Sequence, residues 1–369
     1  MGFRILGCSG EERAQWSAYV ARLTAEQRDI HFLPEYGEIY KKTYGVEPFL
    51  ACWEDGNHFV IQPFVKRPLN DLPFLKGQET SQVYYDIANP YGYGGPLWQC
   101  EDETALPSLL VDFERTLCRF CKDEKIASEF SCLHPLLGNY QPLADTGCVQ
   151  TEKQKDVVYI DLTPDAAALW GQIRKGHKSS IKKAEKSGVV ITKVTPDQAV
   201  FEKFNQLYYE TMARNSAADR WIFPSDYFQN CYECLGPERV SLHFAYYQDM
   251  VVAACILMHD FGTVYYHFSA SDSSYYYLCP NNLMVYKAAL WAKQEGYTRF
   301  HLGGGVTTQQ DDPLFIFKSG FSHKLATLYV YSRVHDQITY DHLCRLKKDH
   351  EKSITGQESQ SGYFPLYRR

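Results

Sequence analysis

Lys318 stands in the run Phe-Ile-Phe-Lys-Ser-Gly-Phe at 315–321. A lone ammonium among aromatic rings could stabilise a developing oxyanion or hold a phosphate. The alternative is a surface lysine whose stem lies over those rings. Before it comes Gly303-Gly304-Gly305, where missing side chains let backbone approach a ligand, or simply let the chain turn. His267 and Ser269 lie two apart in Val-Tyr-Tyr-His-Phe-Ser-Ala. In a strand that spacing puts both on one face. His267 could take the proton of an attacking amine, or be a structural histidine with a satisfied partner.

Phosphate chemistry has its own candidates. Arg174, Lys175, Lys178, Lys182, Lys183 and Lys186 place six cations within thirteen residues, with His177 among them and Glu185 the single acid. Such a surface could hold phosphates of tRNA, of coenzyme A, or of a nucleotide- or lipid-linked sugar. It could equally be a solvated helix face whose cations sit near the negative end of the helix dipole. Tyr91-Gly92-Tyr93-Gly94-Gly95-Pro96 interleaves glycine with tyrosine. Tyr91 and Tyr93 suit a sugar or peptide, or belong to a structural loop.

Two C-x-x-C pairs, Cys118/Cys121 and Cys231/Cys234, have zinc-like spacing. Cys121, however, continues the apolar stripe Leu106, Leu109, Leu110, Phe113, Leu117, Phe120 at helical steps. Free cysteine packs as a small hydrophobe, so no metal site is expected. The chain has no P-loop, no G-x-G-x-x-G fingerprint, no G-x-S-x-G elbow and no H-E-x-x-H motif.

The elements that must position these residues repeat. Phe49–Glu54 and His58–Lys66 flank Asp55-Gly56 as a hairpin. A strand at 83–88, the Gly/Tyr loop, an amphipathic helix at 106–122 and a strand at 128–133 follow. Later, Val240–Tyr246 alternates and Val251–Met258 is continuously apolar, as a strand buried on both faces would be. A strand at 263–270, a Ser/Tyr-rich loop, a helix at 281–295 with Asn282 in its first turn, and a strand at 298–302 complete the second series. Hairpin, strand, loop, helix, strand, twice over, predicts an α+β (mixed α/β) fold of two similar domains. Between them the pattern predicts one helix at 164–186, capped by Asp161 or Thr163 and stopped by Gly188, and another at 197–214.

Bulk properties set bounds. The 369 residues suit two domains, perhaps three; 45% are hydrophobic and 22% charged. A net charge of −6 does not favour bulk nucleic-acid binding, so any RNA contact must come from a local basic patch, and DNA is not an expected partner. Twelve cysteines without a leader-like start predict reduced thiols and a cytoplasmic location. No apolar stretch is long enough to span a bilayer, which leaves at most peripheral membrane contact.

Taken in order, several segments resemble the Fem-type and BioF-like acyltransferases of the GNAT superfamily. They are F-L-P-E-Y at 32–36, P-Y-G-Y-G-G-P at 90–96, S-E-F-x-x-x-H-P-L-L at 128–137 and the basic run at 173–184. T-x-x-R at 211–214 and H-L-G-G-G…D-P-L-F-x-F-K-x-G-F at 301–321 complete the set. The resemblance covers about 32–330. It implies tandem GNAT-like domains at 1–155 and 156–345, the second including the basic helix, with 346–369 a closing tail.

It further implies transfer of an aminoacyl or acyl group onto an amine of a cell-envelope precursor, peptidoglycan or amino-sugar glycan. In Fem-type relatives Phe317-Lys318 would lie near the tRNA acceptor end, and Arg214 near phosphates of the acceptor. Lys318 and His267 are the catalytic candidates. Phe317, Arg214, Tyr91, Tyr93, Arg174, Lys178, Ser269, Asn282 and Gly304 are the substrate-binding ones. The expected partner is a phosphate-bearing glycan or peptidoglycan precursor. The donor would be aminoacyl-tRNA or acyl-CoA as co-substrate, with no bound cofactor. Ser273–Asn282 lacks the glycines that bind pyrophosphate in CoA-dependent members, which argues against a standard CoA site. No long helical pair like the arm of some Fem-type enzymes is legible, which argues against a lipid-linked acceptor. The rival readings are an acyl-CoA-dependent N-acetyltransferase of a nucleotide-linked amino sugar, and a non-catalytic glycan- or RNA-binding protein.

Overall fold

The computed structural model describes residues 2–76, 83–355 and 364–368. The chain divides into two compact units: Met1–Gln154 with Leu328–Arg369, and Lys155–Thr327.

In the first unit the strands run in the order Gly2–Gly7, Glu47–Asp55, His58–Pro68, Tyr85–Ala88, Ile126–Cys132, and the part of Leu325–Val334 that belongs to this unit. All neighbours are antiparallel except Tyr85–Ala88 and Ile126–Cys132, which are parallel. The central hairpin has Asp55 opposite His58, so Gly56 and Asn57 make the turn, with Gly56 at φ 61°. Helix Leu106–Asp123 covers one face. Its stripe of Leu109, Leu110, Phe113, Leu117 and Cys121 packs on Val60, Phe64 and Ile87. Cys121 is thus a core residue, as its helical spacing implies. Full burial of each such large side chain favours folding by about 1.5–3 kcal/mol.

The chain returns to this unit at its end. Val330–Val334 pairs with Ser128–Cys132. Helix Gln337–Thr355 then brings Tyr340 and Leu343, with Tyr367, against Leu69, Leu75 and Ala127. Arg368 closes on buried Asp86 at 2.6 and 3.0 Å. Residues 328–345 therefore complete the first unit, not the second as the sequence boundary at 345 had it. The cause is strand pairing over nearly two hundred residues of chain, which carries no local signal. Helix 337–355 also runs across that boundary, and 356–363 and 369 of the expected tail lie outside the described residues.

The second unit repeats the strand order: Val190–Val194, Val240–Tyr247, Met250–Asp260, Thr263–Ser271, Arg299–Gly303, then the 155–161 part of Thr151–Asp161. Here too one parallel pair, Thr263–Ser271 with Arg299–Gly303, sits among antiparallel ones. Helix Pro280–Gln294 and helix Lys175–Lys186 bury Leu283, Met284, Ala288, Ile181 and Ala184 in one apolar cluster. Rings from helices Gln198–Arg214 and Tyr227–Leu235 form a separate aromatic group around Phe268. The two units thus share one topology, as the repeated order of elements predicts for an α+β fold of two similar domains.

The basic segment differs from its expected single helix. Ala166–Gln172 and Lys175–Lys186 are separate helices, broken at Ile173-Arg174, and Asp165 caps the first by accepting from Ala168 N at 2.7 Å. The break has a tertiary cause: Arg174 N turns to donate to Gly320 O at 2.8 Å.

Candidate active site

The parallel strands of the second unit are paired only at their starts. Thr263, Val264 and Tyr265 lie opposite Arg299, Phe300 and His301. The second strand ends in the triglycine, with Gly303 at φ 79°. The first continues to Ser271 through a bulge. Phe268 lies opposite Ile256 and Tyr266 opposite Leu257, leaving His267 over.

The bulge breaks the expected two-residue alternation. Tyr266 and Ser269 are hydrogen-bonded to each other. His267 Nε2 lies 3.1 Å from Tyr227 Oη, and its ring is 4.6 Å from that of Phe268 in the aromatic group. His267 and Ser269 therefore do not share a face, which corrects the reading from spacing.

Lys318 is carried on helix Pro313–Ser319. Asp312 caps this short helix, accepting from Leu314 N at 2.9 Å and Phe315 N at 3.1 Å, and also from Thr307 N at 2.8 Å and Oγ1 at 3.0 Å. One buried carboxylate thus fixes both the helix start and the polar loop before it. Burial works against its charge, but these amides and the hydroxyl win and hold its carboxyl below the usual range. Gly305 must be glycine, because a Cβ there would lie 2.4 Å from Asp312 Oδ1.

From that helix Lys318 Nζ donates to Gly304 O at 2.8 Å, and Lys155 Nζ donates to Gly305 O at 2.7 Å. A Cβ on Gly303 would stand 3.2 Å from Lys318 Nζ. Burial of the amine end, and then the charge of Lys155, bring Lys318 down to about 7, with Asp312 opposing. The triglycine serves as the seat of two lysines, so its carbonyls are the groups that matter.

Phe317 packs between His177 at 5.4 Å and Phe321 at 5.3 Å. Arg214 Nη2 reaches Tyr276 Oη at 2.5 Å and Ser271 O at 3.3 Å. Thr211 Oγ1 meets the Ser271 amide at 3.2 Å and its carbonyl at 3.3 Å. The T-x-x-R pair thereby clamps the end of strand 263–271. Lys178 Nζ donates to Gly171 O at 2.8 Å, closing the helix before it. Lys178 and Lys182 both lie near the Trp170 ring, so part of the basic face has local work. Arg174 is exposed, and Asn282 is half-buried in the first turn of helix 280–294.

Tyr91 and Tyr93 belong to the first unit. Tyr91 N donates to Tyr40 Oη and its carbonyl accepts from Tyr36 Oη, each at 2.5 Å. The Tyr93 ring meets His31 at 5.3 Å and His134 at 5.1 Å, both edge-on. Burial pushes the Tyr93 phenol well up.

Among the described residues, one group has the types and spacing to hold a metal: Asp29, His31 and His134, with ligand atoms within 4.8 Å of one another. Asp29 Oδ1 lies 2.6 Å from His31 Nδ1 and accepts from His31 N at 3.0 Å. Its Oδ2 is 3.4 Å from His134 Nε2. His134 Nδ1 accepts from Leu136 N at 3.1 Å, which leaves Nε2 as the donor toward Asp29. These are hydrogen-bond contacts, and the trio fits a lock around one shared carboxylate better than a coordination shell. Burial opposes the charge of Asp29, but His134 and His31 hold its carboxyl well below the usual range.

Sequence reasoning assigned no role to Lys155 or Asp29, and noted His177 and Asp312 only as members of the basic run and of the D-P-L-F segment. Asp312-Pro313 had a signal, since Asp before Pro is a helix start. The others act through contacts between distant segments.

Residues 171–311 match the family model described as an acetyltransferase (GNAT) domain. The chain is 24% identical over 243 residues, 63% of its length, to 70% of a UDP-N-acetylmuramoylpentapeptide-lysine N(6)-alanyltransferase of Weissella viridescens. Its fold is similar to the crystal structure of FemX, with a TM-score of 0.67 at 14% identity over 92% of this chain and 99% of that one. It is also similar to a tandem GNAT protein from the clavulanic acid biosynthesis pathway. There the TM-score is 0.51 at 8% identity, over 90% of this chain and 99% of the other.

Proposed function

We propose that this chain, a Fem-like member of the GNAT superfamily, is an N-acyltransferase that moves an aminoacyl group onto an amine of a phosphate-bearing cell-envelope precursor. The acceptor class is carried over from the muramoylpentapeptide-lysine alanyltransferase relative. The observation that carries the chemistry is the Lys318 amine, enclosed and seated on Gly304 O at 2.8 Å. An ammonium has three donors. With one on Gly304, others can meet the oxygen of the carbonyl under attack. The amine nitrogen forms the new amide bond, the ester bond to the donor breaks, and Lys318 stabilises the charge that builds between. The amine's proton passes to water or to His267, and the departing ribose oxygen takes up a proton from water to leave as the tRNA hydroxyl. Arg214 and the exposed cations of helix 175–186 are the phosphate-binding candidates.

Charged tRNA is the preferred donor. A pyrophosphate needs open amides at a helix start. In the loop before helix 280–294 the amides of Ser274, Tyr275 and Cys279 are already bonded and Pro280 has none, so the helix start offers a phosphate only the first-turn amides of Asn281 and Asn282. Two experiments test the reading. Alanyl-tRNA with the nucleotide-linked muramyl pentapeptide should give an acylated peptide by mass spectrometry; no transfer with any charged tRNA would sink the donor assignment. Acetyl-CoA should leave the melting temperature unchanged, whereas saturation of a real site would stabilise by about 2.7 kcal/mol at a hundred times Kd and move the reading to a thioester donor.

A further inference from the structure

His177 is the third residue of helix Lys175–Lys186, and its side chain is buried against helix Pro313–Ser319. Nε2 lies 2.8 Å from Phe317 O. The ring packs edge-on against Phe321 at 4.7 Å. One turn away, Arg174 N donates to Gly320 O at 2.8 Å. Gly320 must be glycine for this approach, because a Cβ there would stand 2.4 Å from His177 Nε2. Two consecutive segments of the basic region thus hold the last turn of the lysine-bearing helix by its carbonyls. Phe317 O also accepts from Gly320 N at 3.2 Å, so the tightened end of the helix and the His177 contact share that carbonyl. A helix of seven residues does not hold its own shape in water. Burial holds the imidazole below its usual range, with the Phe317 carbonyl opposing and Arg174 adding to it. Because a carbonyl only accepts, Nε2 is the donor of this contact.

We infer that His177 is a positioning residue for Lys318: it fixes the Phe317 carbonyl, and with it the backbone from which Lys318 reaches Gly304. The inference deepens the proposed function and rests on the role given there to Lys318. A displacement of about 1 Å at a reacting group can cost on the order of a hundredfold in rate, and Lys318 follows Phe317 directly in the chain.

The test reads Lys318 itself, in the full chain and without substrate. The protein is made with 13C-lysine, the Lys318 ε-methylene signal is assigned by its loss in Lys318→Arg, and its shift is followed against pH. His177→Phe keeps the aromatic packing and removes the donor. It should move the Lys318 midpoint toward that of an ordinary lysine, by about one pH unit, and lower kcat about tenfold with KM unchanged. His177→Gln, whose amide reaches the same carbonyl, should restore both. Gly320→Ala attacks the contact from the other side and should copy His177→Phe, so the question stays open to test if one variant fails to fold. A wild-type midpoint in both folded variants overturns the inference, and so does a loss of melting temperature alone that His177→Gln does not repair. A shifted midpoint with unchanged turnover upholds the positioning and instead removes Lys318 from the proposed chemistry.

Discussion

Lys318 Nζ donates to Gly304 O at 2.8 Å, fourteen residues back along the chain. The bond ties the short helix to the end of the parallel strand. It also converts two weak sequence features, a glycine run and a lysine among aromatics, into one arrangement. Removing the amine while keeping the stem tests it most directly. Lys318→Met should keep the fold and lose on the order of a hundred- to a thousandfold in kcat, the scale of a lost oxyanion donor. Full turnover in that variant would take the lysine out of the reaction.

The pH dependence follows from the same side chain. Burial and Lys155 bring Lys318 to about 7, so it is an ammonium below that pH and a neutral amine above. If the ammonium is what acts, kcat/KM falls as pH rises through about 7. A bound anion favours the charged form, so the corresponding limb in kcat lies higher. Lys318→Arg stays charged throughout and should lose the alkaline limb, at a lower maximum. A wild-type rate that instead rises through this pH would make the lysine a base.

The elements that hold these groups were legible where the cause is local. Alternation at 240–246, the Asp55-Gly56 pair and the apolar steps from Leu106 to Cys121 each reflect a rule of one strand, one turn or one helix. What was hidden depends on contacts across the chain. The helix break at Arg174 exists because its amide serves Gly320. The bulge at His267 exists in the pairing with Ile256 and Leu257, and the residues themselves do not announce it. The same holds for the site. Residue type singled out Lys318 and the triglycine, and the family resemblance Arg214, but the seat of Lys318, the clamp of Arg214 on Ser271 and the His177 contact join separate segments of the chain.

Asp312 joins loop and helix through four hydrogen bonds. Asp312→Ala should destabilise by about 1–3 kcal/mol, a helix cap plus buried donors left unsatisfied. It should also lower kcat more than KM, because the helix it starts carries Lys318. The folded carboxyl lies below its ordinary value. Its stabilisation is therefore present above the usual carboxylate range and is lost as pH falls through the folded value. Chemical denaturation of both proteins should show their difference shrinking in acid. A difference that grows in acid would mean the hydrogen bonds are not to a carboxylate.

In the first unit, Asp29 is the shared acceptor for His31 and His134 and sits 2% exposed. Asp29→Asn places an amide where two imidazoles and the His31 amide all donate, so one donor must face another. Breaking a buried charged contact of this kind costs about 3–5 kcal/mol. Because Gly92 lies against His31, where a Cβ would come within 2.5 Å of Nε2, the damage should extend to the tyrosine loop at 90–96. Limited proteolysis should then cut that loop in the variant and spare it in the wild type. The carboxyl is held below its ordinary value, so the wild-type advantage is present above the carboxylate range and fades as pH falls. A chelator separates this lock from a metal site. It should leave the wild-type melting temperature unmoved, whereas a fall that zinc restores would show the three side chains to be ligands.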